Sequence, residues 1–264
     1  MTAAAPPANA HAHEQAQAPK LRLDGLSKSF GALEVLRDLS LHANEGEFVS
    51  ILGPSGSGKS TTFSILTGGE RADGGEISVD GDASAAARAG AFAYMPQKDV
   101  LLPWRRIIDN LTLGLEVQGV KRAEARARVA PLLETFGLAG FERAWPAQLS
   151  GGMRQRAALL RTVVQERPIL LLDEPFGALD ALTRTAMQRW LEEVWERYRW
   201  TVVLITHDVR EAVFLSDRVY VLSQRPATVA TEVAVPLPRP RTLQTLADPA
   251  AARIEARLLD ALLG

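Results

Sequence analysis

The residues with the clearest chemical meaning form a glycine-rich loop that ends in a lysine and a serine. They match the pattern G-x-x-x-x-G-K-S, precede Thr61, and read Gly53-Pro54-Ser55-Gly56-Ser57-Gly58-Lys59-Ser60. Glycine lets the backbone curl so that successive N–H groups point at one centre, where they bind phosphate oxygens. Lys59 would reach the β- and γ-phosphates, and the Ser60 hydroxyl would bind a bridging magnesium ion. The loop therefore predicts a polyphosphate site.

Two carboxylates and a histidine follow apolar runs further along the chain. Asp173 and Glu174 come directly after an uninterrupted apolar run, and His207 follows a second run at 201–206. Such runs are typical of strands buried on both faces of a parallel sheet, and ligands bind at the carboxyl ends of those strands. We expect Asp173 to bind the magnesium ion, Glu174 to polarise a water, and His207 to belong to the same site. The alternatives are a solvated Asp-Glu turn and a surface or core histidine.

The elements around these residues are consistent with that chemistry. An apolar run at 48–52 precedes the loop as a strand would, and a helix starting near Lys59 would direct the positive end of its dipole at a phosphate. Ser150 can cap a helix that runs to about residue 166, and Gly151 and Gly152 leave room for an anion at its start. This segment has a second interpretation, which is a capped helix with no ligand. Asp180 precedes another helix, at about 182–199.

Two aromatic residues each allow two interpretations. Phe30 belongs to a segment, 26–31, that has the composition of a short polar turn. Its ring could be part of the core, or it could stack on an adenine. Trp104 stands between Pro103 and Arg105, a combination that suits a partner surface as well as a buried loop.

The remaining patterns predict three kinds of region. Strands are predicted at 21–23, 39–41, 77–79 and 91–95, and we expect them to form an antiparallel sheet that flanks the nucleotide strand. From 97 to 166 the pattern is helical. It includes an amphipathic helix at 121–136, which Gly137 would end. A last helix is predicted at 250–262.

Composition narrows the class of protein. The 264 residues are 47% hydrophobic and 23% charged, which suffices for the core of one large or two small domains. A net charge of −1 gives no field that would attract nucleic acid, and the lack of cysteine excludes disulfides and thiolate sites. No apolar run reaches the ~18 residues of a spanning helix, so any membrane role would be peripheral. Residues 1–19, with His11 and His13, have the composition of a disordered tail without a secretory signal, so we expect a cytosolic protein.

With these motifs in place, residues 21–222 resemble the ATP-binding subunit of an ABC transporter. The order of the motifs carries the resemblance, since Leu-Ser-Gly-Gly distinguishes this family from other P-loop proteins. The matching segments are the Walker A loop (55–60), the Q-loop glutamine Gln97, the signature (149–153), the Walker B strand (169–174), the D-loop (178–180) and the switch histidine His207. One departure is Met153, where most members carry glutamine.

The resemblance implies an α/β fold: a P-loop ABC ATPase domain (20–223) with a parallel-sheet core, an antiparallel β subdomain and a helical subdomain at about 97–166. Residues 224–264 would be a C-terminal extension. In such a protein Phe30 stacks on adenine, Gln97 links the magnesium to a membrane partner, and Asp180 lies at the nucleotide site. The segment 150–152 closes on the ATP of the opposite subunit, which implies a head-to-tail homodimer.

The implied function is that of a motor on the cytoplasmic face of the membrane. ATP and Mg²⁺ are the expected cofactors, and the expected partners are integral membrane permease subunits and, through them, an external solute-binding protein. The segments 101–105, 149–156 and 206–212 look most like importers of nitrate, taurine and alkanesulfonates, a subgroup that also contains importers of pyrimidine vitamin precursors. The alternative is a soluble ABC ATPase acting on DNA or ribosomes. Such proteins usually carry a coiled-coil insertion, tandem cassettes or basic arms, and this sequence shows none of them.

Overall fold

The computed structural model describes residues 18–263, so His11, His13 and nearly all of the predicted tail lie outside the described residues. Three strands form an antiparallel sheet in the order β2-β1-β4. Their bounds are Leu21–Phe30 (β1), Leu33–Ala43 (β2) and Gly74–Val79 (β4). The segment 26–30, predicted as a turn, continues strand β1, because its backbone pairs with β2 as far as Phe30. The turn prediction was therefore wrong.

A second sheet has six strands in the order β5-β6-β7-β3-β8-β9, all parallel except the last pair. Their bounds are Phe48–Leu52 (β3), Phe92–Met95 (β5), Ile169–Asp173 (β6), Thr201–Thr206 (β7), Arg218–Leu222 (β8) and Val229–Ala234 (β9). Strand β5 pairs in parallel with β6, so the expectation that 91–95 would join the antiparallel sheet was wrong.

Ten α-helices lie in residues 18–263. Their bounds are Lys59–Leu66 (α1), Ala85–Arg88 (α2), Ile107–Leu111 (α3), Leu113–Val117 (α4), Arg122–Val129 (α5), Leu132–Thr135 (α6), Gly151–Val163 (α7), Ala181–Tyr198 (α8), Val209–Leu215 (α9) and Pro249–Leu263 (α10). The helix predicted at 121–136 is divided into α5 and α6. Pro131 lies at the break, because it has no N–H to continue the hydrogen bonding of α5. None of the described helices is long and apolar enough to cross a membrane.

The core strands alternate between two hydrophobic layers. In β6, Leu170 and Leu172 face the layer shared with the helices of 107–163, whereas Ile169 and Leu171 face the layer shared with the antiparallel sheet. Every residue of β3, β6 and β7 is buried, which confirms the parallel strands covered on both faces that the apolar runs predicted.

The last forty residues are joined to the core by buried charges. Strand β9 extends the parallel sheet, and α10 packs against α9 and β8. Arg239 pairs with the buried Glu192 of α8 and with Asp217, and its guanidinium lies 4.0 Å from the centre of the Trp195 ring. Arg241, which is also buried, donates to three backbone carbonyls at 213–216.

Candidate active site

The glycine-rich loop follows β3 and leads into α1, as its sequence predicts. Gly56 and Gly58 have φ angles of 77° and 92°, which side-chain-bearing residues rarely adopt. A Cβ at Gly58 would also lie only 2.6 Å from Leu36 Cδ2 on β2. Glycine is therefore required for the curl of the phosphate loop (residues 53–60).

Two buried polar side chains of the phosphate loop fit an anion. Lys59 is only 6% exposed, and its Nζ donates to the carbonyls of Gly53 (2.7 Å) and Pro54 (2.9 Å). Burial lowers the pKa of Lys59, while the charges of Glu174 and Asp173 oppose that shift. The Oγ of Ser57 is buried and has no hydrogen-bond partner among the described residues. A phosphate group would pair with both side chains.

Asp173 ends β6 and is buried beside a tyrosine that the sequence analysis missed. Tyr94 of β5 donates its hydroxyl to Asp173 Oδ2 at 3.1 Å. Burial raises the pKa of Asp173, whereas hydrogen bonds from Tyr94 and Ser60 and the charge of Lys59 oppose the shift. Burial and the neighbouring Asp173 raise the pKa of Tyr94 to about 12, so its hydroxyl remains a donor at neutral pH.

Glu174 is the centre of a group of three polar side chains. Its Oε2 accepts a hydrogen bond from Gln97 Nε2 at 3.0 Å and lies 3.3 Å from His207 Nδ1. The three residues follow the carboxyl ends of the adjacent strands β5, β6 and β7, which explains how distant segments meet. Glu174 has a φ of 43°, a conformation that costs a non-glycine residue roughly 1–3 kcal/mol and that often marks a functional site.

A cleft of about 500 Å³ lies over the phosphate loop, and we call it the ATP cleft. Its walls are Phe30, Leu33, Val35, Ser55, Gly56, Gly58, Lys59, Ser60, Thr61, Gln97, Glu174 and Arg225. The Phe30 ring is 45% exposed, and Lys28 Nζ lies 4.9 Å from its centre. A ring at the edge of this cleft is accessible for stacking.

The signature and the D-loop lie apart from the ATP cleft and do not line it. Ser150 caps α7, with its Oγ accepting from Met153 N at 3.3 Å, as predicted. Asp180 caps α8 by accepting from the N–H (3.0 Å) and the hydroxyl (2.7 Å) of Thr183, and these hydrogen bonds lower its pKa. The structure therefore gathers the phosphate loop, Gln97 and Glu174 in one place, and Ser150, Gly151, Gly152 and Asp180 in another.

A buried carboxyl group lies behind the catalytic candidates. Glu211 of α9 lines a small void of about 10 Å³ together with Glu174 and His207. Its Oε2 accepts from Gln188 Nε2 at 3.0 Å, and burial raises its pKa to about 7. Tyr94 and Arg225 belong to none of the motifs, and the importer-like segment 206–212 gave Glu211 no role. Each reaches the site through the order of strands or the packing of a helix.

Comparisons with known proteins show the family of the chain. Residues 36–177 match the family model described as ABC transporter. The chain is 45% identical to an aliphatic sulfonates import ATP-binding protein of Streptomyces avermitilis, over 94% of this chain and 93% of that protein. It is also 45% identical to a formylaminopyrimidine import ATP-binding protein of Halalkalibacterium halodurans, over 80% of this chain and 82% of that protein.

The solved structures that resemble this chain are also ABC cassettes. A dimeric bacterial ABC transporter cassette superimposes with a TM-score of 0.69 at 30% identity, over 81% of this chain and 98% of that one. A dimeric post-hydrolysis cassette bound to ADP and Pi gives a TM-score of 0.67 at 29% identity, over the same shares of the two chains. The fold class predicted from the motifs is thereby confirmed. The chain belongs to the ABC transporter family, as an ATP-hydrolysing subunit of an importer.

Proposed function

We propose that this subunit powers the uptake of a small sulfonate or nitrate-like anion, with nitrate, taurine and aliphatic sulfonates as the candidate solutes. The observation that carries the motor chemistry is the contact of Gln97 and His207 with the same carboxylate oxygen of Glu174. Because these contacts link Glu174 to the ends of both neighbouring strands, β5 and β7, its position can respond to whether the γ-phosphate is present. The solute class is supported by the sulfonate importers among the relatives.

The chemistry assigns one step to each side chain. ATP would lie in the ATP cleft with adenine on Phe30 and its phosphates on the N–H groups of residues 53–61. Glu174 would take the proton of the attacking water, and His207 would hold Glu174 and the γ-phosphate in place. Lys59 would move from its loop carbonyls to the β- and γ-phosphates.

A magnesium ion fits the oxygen ligands of this site. Ser60 and Asp173 would hold it, with Gln97 nearby, and it would neutralise charge on the β- and γ-phosphates. Residues 18–263 contain no group of three or more acidic or histidine side chains that could bind a metal alone. This agrees with the usual binding of Mg²⁺ through one or two protein oxygens, water and substrate phosphates.

We further propose that two copies are needed for one complete site. The signature residues 150–152, of which Ser150 is exposed and the two glycines are half-buried, do not line the ATP cleft of their own chain. A head-to-tail dimer would bring them to the γ-phosphate held by the other copy. Two dimeric structures of one solved cassette support a dimer.

The membrane partner would bind at the cytoplasmic face, in a second depression of about 880 Å³ that we call the tryptophan groove. It is lined by Trp104, Arg105, Arg106, Ile108, Asp109, Glu116, Arg122, Arg126, Glu142, Arg143 and Trp145. Trp104 is 71% exposed and is therefore a surface residue. Exposed tryptophan beside arginine is typical of interface anchors. A cytoplasmic helix of a permease subunit, itself fed by an external solute-binding protein, is the partner that we propose.

The solute is tested by growth. Cells that lack the coding region should fail to grow, or grow slowly, on taurine or an alkanesulfonate as sole sulfur source or on nitrate as sole nitrogen source. Growth should return when the wild-type chain is supplied, but not when the Glu174→Gln chain is supplied. Normal growth on all three, in cells with no second importer, would overturn the anion assignment. The second candidate solute is then a formylaminopyrimidine, which the relative from Halalkalibacterium halodurans favours.

A further inference from the structure

An arginine outside all the motifs lies at the ATP cleft. Arg225 belongs to the turn between β8 and β9, and its exposed side chain forms part of the wall of the cleft. A Cβ at Gly56 would lie 3.0 Å from Arg225 Nη2, which shows how closely the guanidinium approaches the phosphate loop. The chain thus places a second cation, after Lys59, beside the same loop.

The sheet explains why this turn reaches the phosphate loop. Strands β3 and β8 are parallel neighbours, so the segments that follow them emerge at the same edge of the sheet. The phosphate loop follows β3, and the turn that carries Arg225 follows β8. The two segments touch where a Cβ at Gly53 would lie 3.2 Å from Leu222 Cβ.

Hydrogen bonds hold the turn in this position. Ala227 N donates to Val35 O at 2.9 Å, and Arg37 N donates to Ala227 O at 3.0 Å, so the turn is joined to β2. The Ser223 hydroxyl accepts from Thr228 N at 3.0 Å and closes the turn on itself. Val35 also lines the ATP cleft. Arg225 therefore has an anchored backbone.

The charge of Arg225 is not neutralised within the described part of the chain. Arg37, on the strand to which the turn is joined, pairs with Glu34, whereas Arg225 forms no ion pair there. An exposed guanidinium on an anchored turn beside a phosphate loop is suited to an anion, since arginine binds phosphate oxygens through two parallel N–H groups.

We propose that Arg225 is a further nucleotide-binding residue, whose guanidinium contacts the β- and γ-phosphates of the ATP held by residues 53–61. This inference rests on the proposed ATP chemistry of the same cleft. It assigns part of the nucleotide affinity to the β8–β9 turn, which lies outside the Walker A loop.

Binding to the purified full chain tests the proposal. The affinities for ATP, ADP and AMP are measured by displacement of a fluorescent ATP analogue. Arg225→Ala should weaken ATP about tenfold and leave AMP within twofold, and added salt should narrow the difference because it screens exposed charges. Arg225→Lys should lose less ATP affinity than Arg225→Ala. Arg37→Ala is the matched control, because Arg37 is exposed on the adjoining strand, pairs with Glu34 and does not line the cleft.

Each other result would overturn the proposal. ATP affinity within twofold of wild type in Arg225→Ala would show that the residue does not bind nucleotide. Equal losses for ATP and AMP would place Arg225 away from the β- and γ-phosphates. Equal losses of ATP affinity in Arg225→Lys and Arg225→Ala would indicate that Arg225 acts by packing and not through a charge contact. Lys59→Ala separates this from a wrong ATP site, because unchanged ATP affinity in that variant would refute the phosphate loop itself.

Discussion

The ATP cleft and the tryptophan groove are both open depressions of several hundred Å³, but they are built differently. The cleft collects polar groups from the carboxyl ends of adjacent strands, and its central residues already contact one another, as Gln97 and His207 contact Glu174. The groove lies among short helices and presents the exposed Trp104. Several of its charged groups are paired within the groove itself, as Asp109 is with Arg122 and Arg126, and Arg105 with Glu116.

This difference separates the ATP chemistry, in the cleft, from the coupling to transport, in the groove. Rigid strand ends hold reacting groups in place, and short helices can shift without moving those groups. Gln97 connects the two regions in the chain, since it contacts Glu174 and lies seven residues before Trp104. Changes in the cleft should therefore alter ATP turnover or binding, and changes in the groove should alter transport alone.

The largest effect is expected from Glu174→Gln. The variant keeps the shape of the side chain but cannot accept a proton, so turnover should fall at least about 10²-fold while ATP still binds. ATP hydrolysis and nucleotide binding are measured on purified protein, and the ATP-bound chain should elute as a dimer. Glu193→Gln, an exposed carboxylate on α8, is the control. Hydrolysis near the wild-type rate would refute the role of Glu174.

Lys59→Ala is expected to have a smaller effect, and it acts on ATP binding. Removal of the buried ammonium group takes away the charge nearest the phosphates, so ATP affinity should fall about tenfold or more, and adenosine affinity should not change. Titration calorimetry measures both. The assignment of the phosphate loop to the phosphates of ATP fails if the affinities for ATP and adenosine change in parallel.

The groove is tested by Trp104→Ala. We expect solute uptake by the whole transporter to fall about tenfold, since a central tryptophan anchor is often worth 2 kcal/mol or more. Basal ATP hydrolysis by the isolated subunit should stay within about twofold. Val117→Ala is the control, because Val117 is 80% exposed on α4 and does not line the groove. Loss of ATPase or of folding in Trp104→Ala would contradict the separation of the two regions.

The sequence predicted the cleft better than its surroundings. The phosphate loop, Asp173, Glu174 and His207 stand directly beside the strands that position them, so local patterns sufficed. Tyr94 reaches Asp173 because β5 lies beside β6, and Arg225 reaches the cleft because β8 lies beside β3. Such non-local pairings leave no mark in a single sequence. The same reason explains why 91–95 was correctly predicted as a strand but assigned to the wrong sheet.

A buried carboxyl group, that of Glu211, lies in the layer beneath the ATP cleft and lines neither the cleft nor the tryptophan groove. Glu211 is 4% exposed, its Oε2 accepts from Gln188, and its Oε1 has no partner among the described residues. Burial raises its pKa from 4.5 to about 7, Asp208 adds to the shift, and hydrogen bonds from Gln188 and Thr206 and the charge of Arg184 oppose it. The folded chain therefore binds a proton on Glu211 at pH values where the unfolded chain does not.

The sign of the pH dependence follows from that shift. Because the folded state holds the extra proton, the free energy of unfolding is highest below pH 4.5 as far as Glu211 is concerned, and it falls as the pH rises through about 7. The full loss is at most about 3 kcal/mol, or roughly 6–12 °C in melting temperature. Glu211→Gln keeps the shape but cannot ionise, so its melting temperature should fall less than that of wild type between pH 5 and pH 8. Circular dichroism melts measure the difference, with Glu193→Gln as control. If wild type and Glu211→Gln lose stability in parallel over this range, the proton is not on Glu211, and the layer beneath the cleft does not titrate.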